Sequence, residues 1–208
     1  MKRLYNEVAG QDIQRLSALT DGIFAFAMTL LALDIHVPDA GAIHSESDLL
    51  HAFIALGPRF LVCLMTFLTL GIFWVGQQTH LDMFKRGDRN VAWIHIAFMF
   101  AVVLTPFSTG FLATFITYRI ALLVYWFNIL ALGAVLFASY RYANRRGLLR
   151  DDRPLDMHTV ERRIIVAQSL YAVGAALCLV NTYVSIAVIF LVQLNYAIAP
   201  RIPWLYRL

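Results

Sequence analysis

Apolar positions along this chain gather into six long runs, separated by short polar stretches. The runs cover about 17–36, 52–78, 91–114, 118–142, 163–180 and 185–200. A helix needs roughly 20 residues to cross about 30 Å of hydrocarbon, so the pattern predicts six membrane-spanning helices. The second run contains "LGPRF" (Leu56 to Phe60), which predicts a kink, or a helix that starts only at Pro58. Only "NTYV" (Asn181 to Val184) separates the last two runs, which therefore form a tight helical hairpin. The expected fold is an all-α integral membrane protein, with residues 1–208 forming a single six-span domain.

Composition agrees with that pattern. The chain has 208 residues, 60% of them hydrophobic and 14% charged, with a mean hydropathy of +0.67. Soluble domains are about half apolar and about a quarter charged. A net charge of +4 would suit a nucleic-acid partner, but the basic residues stand between the apolar runs. There they set orientation in a bilayer, so no nucleic-acid partner is expected. All but two of the 17 Lys and Arg fall on one side of the predicted membrane. They include Lys2, Arg3 and Arg15, then Lys85, Arg86 and Arg89, then Arg141 to Arg163, and finally Arg201 and Arg207. Arg59 and Arg119 lie on the other side, with Asp39, Glu46 and Asp48. Excess Lys and Arg mark the cytoplasmic side. Both termini are therefore expected in the cytoplasm, which requires an even number of spans. The first fifteen residues are too polar for a signal peptide, so the first helix is expected to be retained.

The first run, "RLSALTDGIFAFAMTLLALDI" (Arg15 to Ile35), carries Asp21 inside a hydrophobic segment. A carboxylate in lipid costs at least a few kcal/mol, so it needs a partner or a task. At about 100° per residue, Leu19, Ile23, Phe26, Leu30, Leu33 and Val37 form one stripe. Ala18, Asp21, Gly22, Ala25, Thr29 and Ala32 form a second, small and partly polar. In one reading, the large stripe faces lipid and the small stripe packs on neighbouring helices. In the other, rings of Phe26, Leu30 and Leu33 from several copies form a hydrophobic constriction, a device that gates by dewetting.

The same stretch resembles the first helix of the transmembrane protein 175 family, the lysosomal potassium channels of animals and their prokaryotic relatives. That family's mark is Arg, three residues, then Phe-Ser-Asp. Here Arg15 is followed after three residues by Leu19-Thr20-Asp21. Trp74, His80 and Phe84 in "FWVGQQTHLDMF", Asp88 and Asn90 in "RGDRN", and Pro106-Phe107 are also similar to the family's pattern. The resemblance implies a potassium-permeable cation channel, a homotetramer of six-span subunits with each first helix lining the pore. Counted from the matched Asp, the constriction positions carry over to Phe26, Leu30 and Leu33. Phe26 stands where the family usually has a branched aliphatic residue. Thr29 carries over as a pore-adjacent hydroxyl that acts in selectivity. Arg15, Thr20 and Asp21 are implied to form a structural polar clamp near the cytoplasmic side, with His80 and Asn90 as the expected partners.

Asp34 is expected at the outer interface, where with Asp39, Glu46 and Asp48 it makes the mouth negative. Cys63 and Cys178 read as buried small hydrophobes. Trp204 and Tyr206 beside Arg201 and Arg207 read as an interfacial anchor. The chain has no HExxH or GxSxG, so no enzyme is expected. Nor does it have a "TVGYG" filter or an arginine-rich span of voltage-sensor type. The competing reading is a small secondary transporter, although no internal repeat or mid-helix break supports it. Apart from permeant potassium no cofactor or metal is expected. The expected partners are further copies of the chain and the lipid bilayer. For a prokaryotic chain the compartment is the plasma membrane, as a multi-pass protein.

Overall fold

The computed structural model describes residues 12–152 and 156–198. Lys2, Arg3, Arg153, Arg201, Arg207, Trp204, Tyr206 and the end of the sixth run lie outside these residues. The described fold is all-helical. Helix α1 spans Ile13–Leu33, α2 Glu46–Ala55, α3 Gly57–Asp82, α4 Arg89–Thr114, α5 Arg119–Arg145, α6 Met157–Ala176 and α7 Thr182–Ile198. Five segments are long and apolar enough to cross a membrane: α1, Glu46–Asp82, α4, α5 and Met157–Leu179. Helix α7, with 17 residues, is apolar but shorter.

Local chemistry sets the boundaries. The Asp12 side chain accepts from the Arg15 amide at 3.1 Å and starts α1. Ser45 and Asp88 cap α2 and α4 in the same way. The second apolar run breaks at Leu56, and Pro58 stands in the first turn of α3. There its missing N–H leaves no helical bond unmade. Helix α5 ends in a Schellman motif, with the Leu148 amide donating to the Ala143 carbonyl and the Gly147 amide to the Asn144 carbonyl. Gly147 takes a φ of 60°, a conformation that costs other L-residues about 1–2 kcal/mol. Gly147→Ala is expected to lower stability by about 1 kcal/mol, read as a fall in the thermal transition of the detergent-solubilised protein.

Helices α3, α4, α5, α6 and α7 close a ring, each against the next, with α7 returning to α3. Helix α1 lies outside this ring, on the seam between α3 and α4. Polar side chains fill part of the ring's interior. The Thr66 and Thr109 hydroxyls meet at 2.8 Å, and Gln193 Nε2 donates to Thr69 Oγ1 at 2.8 Å. Between them lies the Tyr125 hydroxyl, 3.3 Å from Thr69 Oγ1. Helix α4 runs unbroken through Pro106. In the turn before it, Asn128 Nδ2 of α5 donates to the Ala101 carbonyl at 3.0 Å, as neighbouring side chains do at prolines within membranes.

At the end of the ring that carries Arg145, the loops after α3 and α5 are stapled together. The Lys85 amide donates to the Leu148 carbonyl at 2.9 Å and the Arg150 amide to the Met83 carbonyl at 2.8 Å. Met83, Phe84, Leu148 and Leu149 are buried beneath this short antiparallel bridge. We call this the basic end of the bundle.

Candidate pore helix and its polar anchors

Helix α1 buries one narrow strip against α3 and α4. Thr20, Phe24, Ala27 and Leu31 are each only 2% exposed. Phe24 meets Phe98 of α4 with ring centroids 6.0 Å apart, and Phe98 in turn meets Phe73 of α3 at 6.4 Å. This strip belongs to neither stripe that periodicity singled out. Within the subunit the small residues Ala18, Gly22, Ala25, Thr29 and Ala32 are all exposed, so the neighbours that one reading gave them are not helices of the same subunit. The seam between α3 and α4 is wide enough for a phenylalanine, so bulk is what binds α1 to the ring.

On the opposite side, the exposed residues form one continuous arc of about 140° at 100° per residue. Ala32, Ala25, Ala18, Thr29 and Gly22 make its small half, and Leu33, Phe26 and Leu19 its large half. Phe26 is 60% exposed and Leu33 71%. Leu30 sits at the edge of the arc and is half-buried. The Thr29 hydroxyl donates to the Phe26 carbonyl of its own helix at 2.8 Å. That bond uses its proton and leaves its oxygen on the exposed side.

The Asp21 carboxylate is anchored to α3. Its Oδ1 accepts from Trp74 Nε1 at 2.8 Å and from Gln78 Nε2 at 2.6 Å. Trp74 and Gln78 are four residues apart and so share one face of α3. The expected partners, His80 and Asn90, do not reach Asp21. His80 stands about 200° round α3 from Gln78, and its Nε2 lies 2.8 Å from Ser139 Oγ of α5. Asn90 Nδ2 donates to the Tyr142 hydroxyl at 2.9 Å, and that hydroxyl donates to Asp88 Oδ2 at 2.8 Å. Thr20 bonds within its own helix, to the Leu16 carbonyl at 2.8 Å. Arg15 is exposed and makes no ion pair among the described residues. The five residues expected in one clamp thus fall into separate ties: α1 to α3 through Asp21, α3 to α5 through His80, and α4 to α5 through Asn90. Gln78 carried no motif that marked it. Its only signal was its four-residue spacing from Trp74.

The far end of α1 is also held. Arg59 Nη1 donates to the Asp34 carbonyl at 3.2 Å, satisfying a helix C-terminal oxygen. The Asp34 carboxylate lies over Gly110 of α4, 3.0 Å from where a Cβ would stand. A larger residue at position 110 would displace it. Cys63 Sγ, 3.7 Å from the Leu31 carbonyl, completes this contact. Both cysteines are free thiols, Cys178 buried and Cys63 partly so.

A potassium channel of Streptomyces collinus is 32% identical over 143 residues, which cover 67% of this chain and 68% of that one. The family model described as endosomal/lysosomal potassium channel TMEM175 matches residues 15–106, from Arg15 of α1 to Pro106 of α4. The chain belongs to the TMEM175 family. A protein of Chamaesiphon minutus named a potassium channel is 27% identical over 190 residues, which cover 88% of this chain and 93% of that one. The crystal structure of a lysosomal potassium-selective channel TMEM175 homolog from Chamaesiphon minutus superposes with a TM-score of 0.78. It covers 90% of this chain and 97% of that one at 24% identity, so the two share a fold. With its long apolar helices, the chain is a multi-pass membrane protein.

Proposed function

We propose that this chain is the subunit of a potassium-permeable cation channel whose pore is lined by α1. The observation that carries the reading is the exposed arc of α1. A helix bound to the ring by one narrow strip leaves most of its circumference to other copies and to a lumen. The relatives named as potassium channels support the choice of ion. In the proposed assembly four subunits place Phe26, Leu30 and Leu33 around one axis as a hydrophobic constriction that opens and closes by wetting. The small half of the arc, Ala18, Gly22, Ala25 and Ala32, lets adjacent α1 helices approach closely. Thr29 presents its hydroxyl oxygen beside the constriction and favours a partly dehydrated cation. Without a ring of backbone carbonyls, the preference for potassium over sodium is modest. Each subunit crosses the plasma membrane six times, α7 included, with the basic end of the bundle and both termini in the cytoplasm. Asp21, held by Trp74 and Gln78, positions the pore helix and does not bind ions.

Potassium flux into proteoliposomes tests this reading, with Leu30→Ala beside wild type. Shortening one ring of side chains is expected to lower the dewetting barrier and raise flux by roughly tenfold, the equivalent of about 1.4 kcal/mol. Flux from wild type that Leu30→Ala leaves unchanged would place Leu30 outside the conduction path and return α1 to a lipid-facing role.

A further inference from the structure

The seam between α5 and α6 lies across the ring from α1 and is not packed flush. A groove of about 320 Å3 runs along it, lined by Gly133, Ala134 and Phe137 of α5 and Ile165, Gln168 and Ala172 of α6. Gly133 makes room for the Gln168 side chain, which would overlap a Cβ at that position. Gln168 crosses that glycine, donating from Nε2 to the Ile129 carbonyl at 3.4 Å. From Ile164 to Ala172 the apolar lining extends about 12 Å along the helix.

At the basic end, the faces that line the groove continue into charged residues. On α5, Phe137 leads to Arg141 and Arg145. On α6 the lining face leads back to Glu161, with Arg162 on its flank. The Arg141 guanidinium lies 5.6 Å from the centre of the Phe137 ring and its Nε 3.7 Å from Glu161 Oε1. This pair spans the mouth of the groove. Arg145 and Arg162 are exposed and make no ion pair among the described residues. An apolar slot at membrane depth thus ends at the Arg141–Glu161 pair, flanked by the two guanidiniums of Arg145 and Arg162.

We propose that the α5–α6 groove binds one anionic phospholipid, with an acyl chain in the slot and the headgroup phosphate on Arg145 and Arg162. Guanidinium matches phosphate oxygens in paired hydrogen bonds. Basic pockets between membrane helices recognise anionic headgroups. Charge complementarity favours lipid over a second copy of the chain, since two copies meeting here would bring four like charges together. This assignment is independent of the conduction path.

Native mass spectrometry of the detergent-purified protein tests it, with added phosphatidylglycerol or phosphatidylcholine as probes. Two arginines at the headgroup are expected to give on the order of a thirtyfold preference for phosphatidylglycerol. The double variant R145Q/R162Q should lose that preference. R86Q/R89Q, which removes equal charge from the same end, should keep it. Ala172→Phe fills the slot and should abolish retained lipid, and Ser169→Leu repeats the filling from the exposed lip in case the first variant fails to fold. Equal loss from both arginine pairs would overturn the proposal in favour of general charge attraction. Unchanged phosphatidylglycerol binding in the filled variants would also overturn it, as would a change in their subunit number, which would mark the groove as a contact between copies.

Discussion

Asp21→Ala is expected to weaken the assembled protein before it changes which ions pass. The Asp21 carboxylate is the acceptor for two donors on α3, Trp74 Nε1 and Gln78 Nε2. Hydrogen bonds to a charged group contribute about 1.5–3 kcal/mol each, and a donor left without an acceptor at membrane depth costs about 1–3 kcal/mol. Partial exposure of Trp74, 40% in the subunit, reduces that cost. A net loss on the order of 2–4 kcal/mol follows. It would free the N-terminal half of α1, while Phe24, Leu31 and the Asp34–Arg59 contact still hold the rest. Asp21→Asn keeps an acceptor oxygen and should lose about half as much. Trp74→Phe should resemble Asp21→Asn. The measurement is the thermal transition of the purified protein followed by size-exclusion chromatography. Stable Asp21→Ala oligomers with altered potassium-to-sodium discrimination would show instead that the carboxylate acts on the permeant ion.

Tyr125→Ala is expected to have a larger effect on folding, and Tyr125→Phe a small one. Tyr125 is fully buried where α3, α4, α5 and α7 meet. Removing a buried aromatic ring costs about 3–5 kcal/mol through lost contacts and a residual cavity. The hydroxyl contributes much less. Its neighbours Thr66 and Gln193 lie at 3.5 and 3.4 Å, and interhelical hydrogen bonds within membranes average about 0.6 kcal/mol. Thr66 would keep Thr109, and Thr69 would keep Gln193, when the hydroxyl is gone. The Ala variant should therefore unfold at markedly lower temperature while the Phe variant stays near wild type. Equal losses from both variants would mean that the polar network, rather than ring packing, holds the centre of the bundle.

Much of the architecture is legible in the sequence alone. Long apolar runs mark where helices stand, because lipid demands that every backbone group bond within its own segment. Proline read as a punctuation mark was informative at Pro58, where α3 begins, and uninformative at Pro106, which α4 passes without a break. The difference lies in the partners. Pro58 sits in a first turn that makes no use of its N–H. Pro106 sits beside a turn that Asn128 reaches from another helix.

The anchors of α1 were legible only in kind. An acidic residue inside a span announces a polar partner, and Asp21 has two. Which ones could not be read from a motif, since the choice turns on the rotation of α3. Rotating that helix by half a turn would offer His80 where Trp74 and Gln78 now stand. Likewise, periodicity sorted residues of α1 by size, but the strip that meets the ring, Thr20, Phe24, Ala27 and Leu31, belongs to neither group.

By itself, then, the sequence determined the all-helical membrane character, the chemical need at Asp21 and the grouping of Phe26, Leu30 and Leu33 on one side of the first helix. These follow from local hydrophobicity and from the fixed rise and turn of a helix. Tertiary structure alone decided that α1 binds through Phe24 and Leu31, that Trp74 and Gln78 receive Asp21, and that a groove opens beside Gly133. Each of those depends on the rotation and separation of neighbouring helices. Packing of many side chains at once sets these quantities, and no single stretch of sequence encodes them.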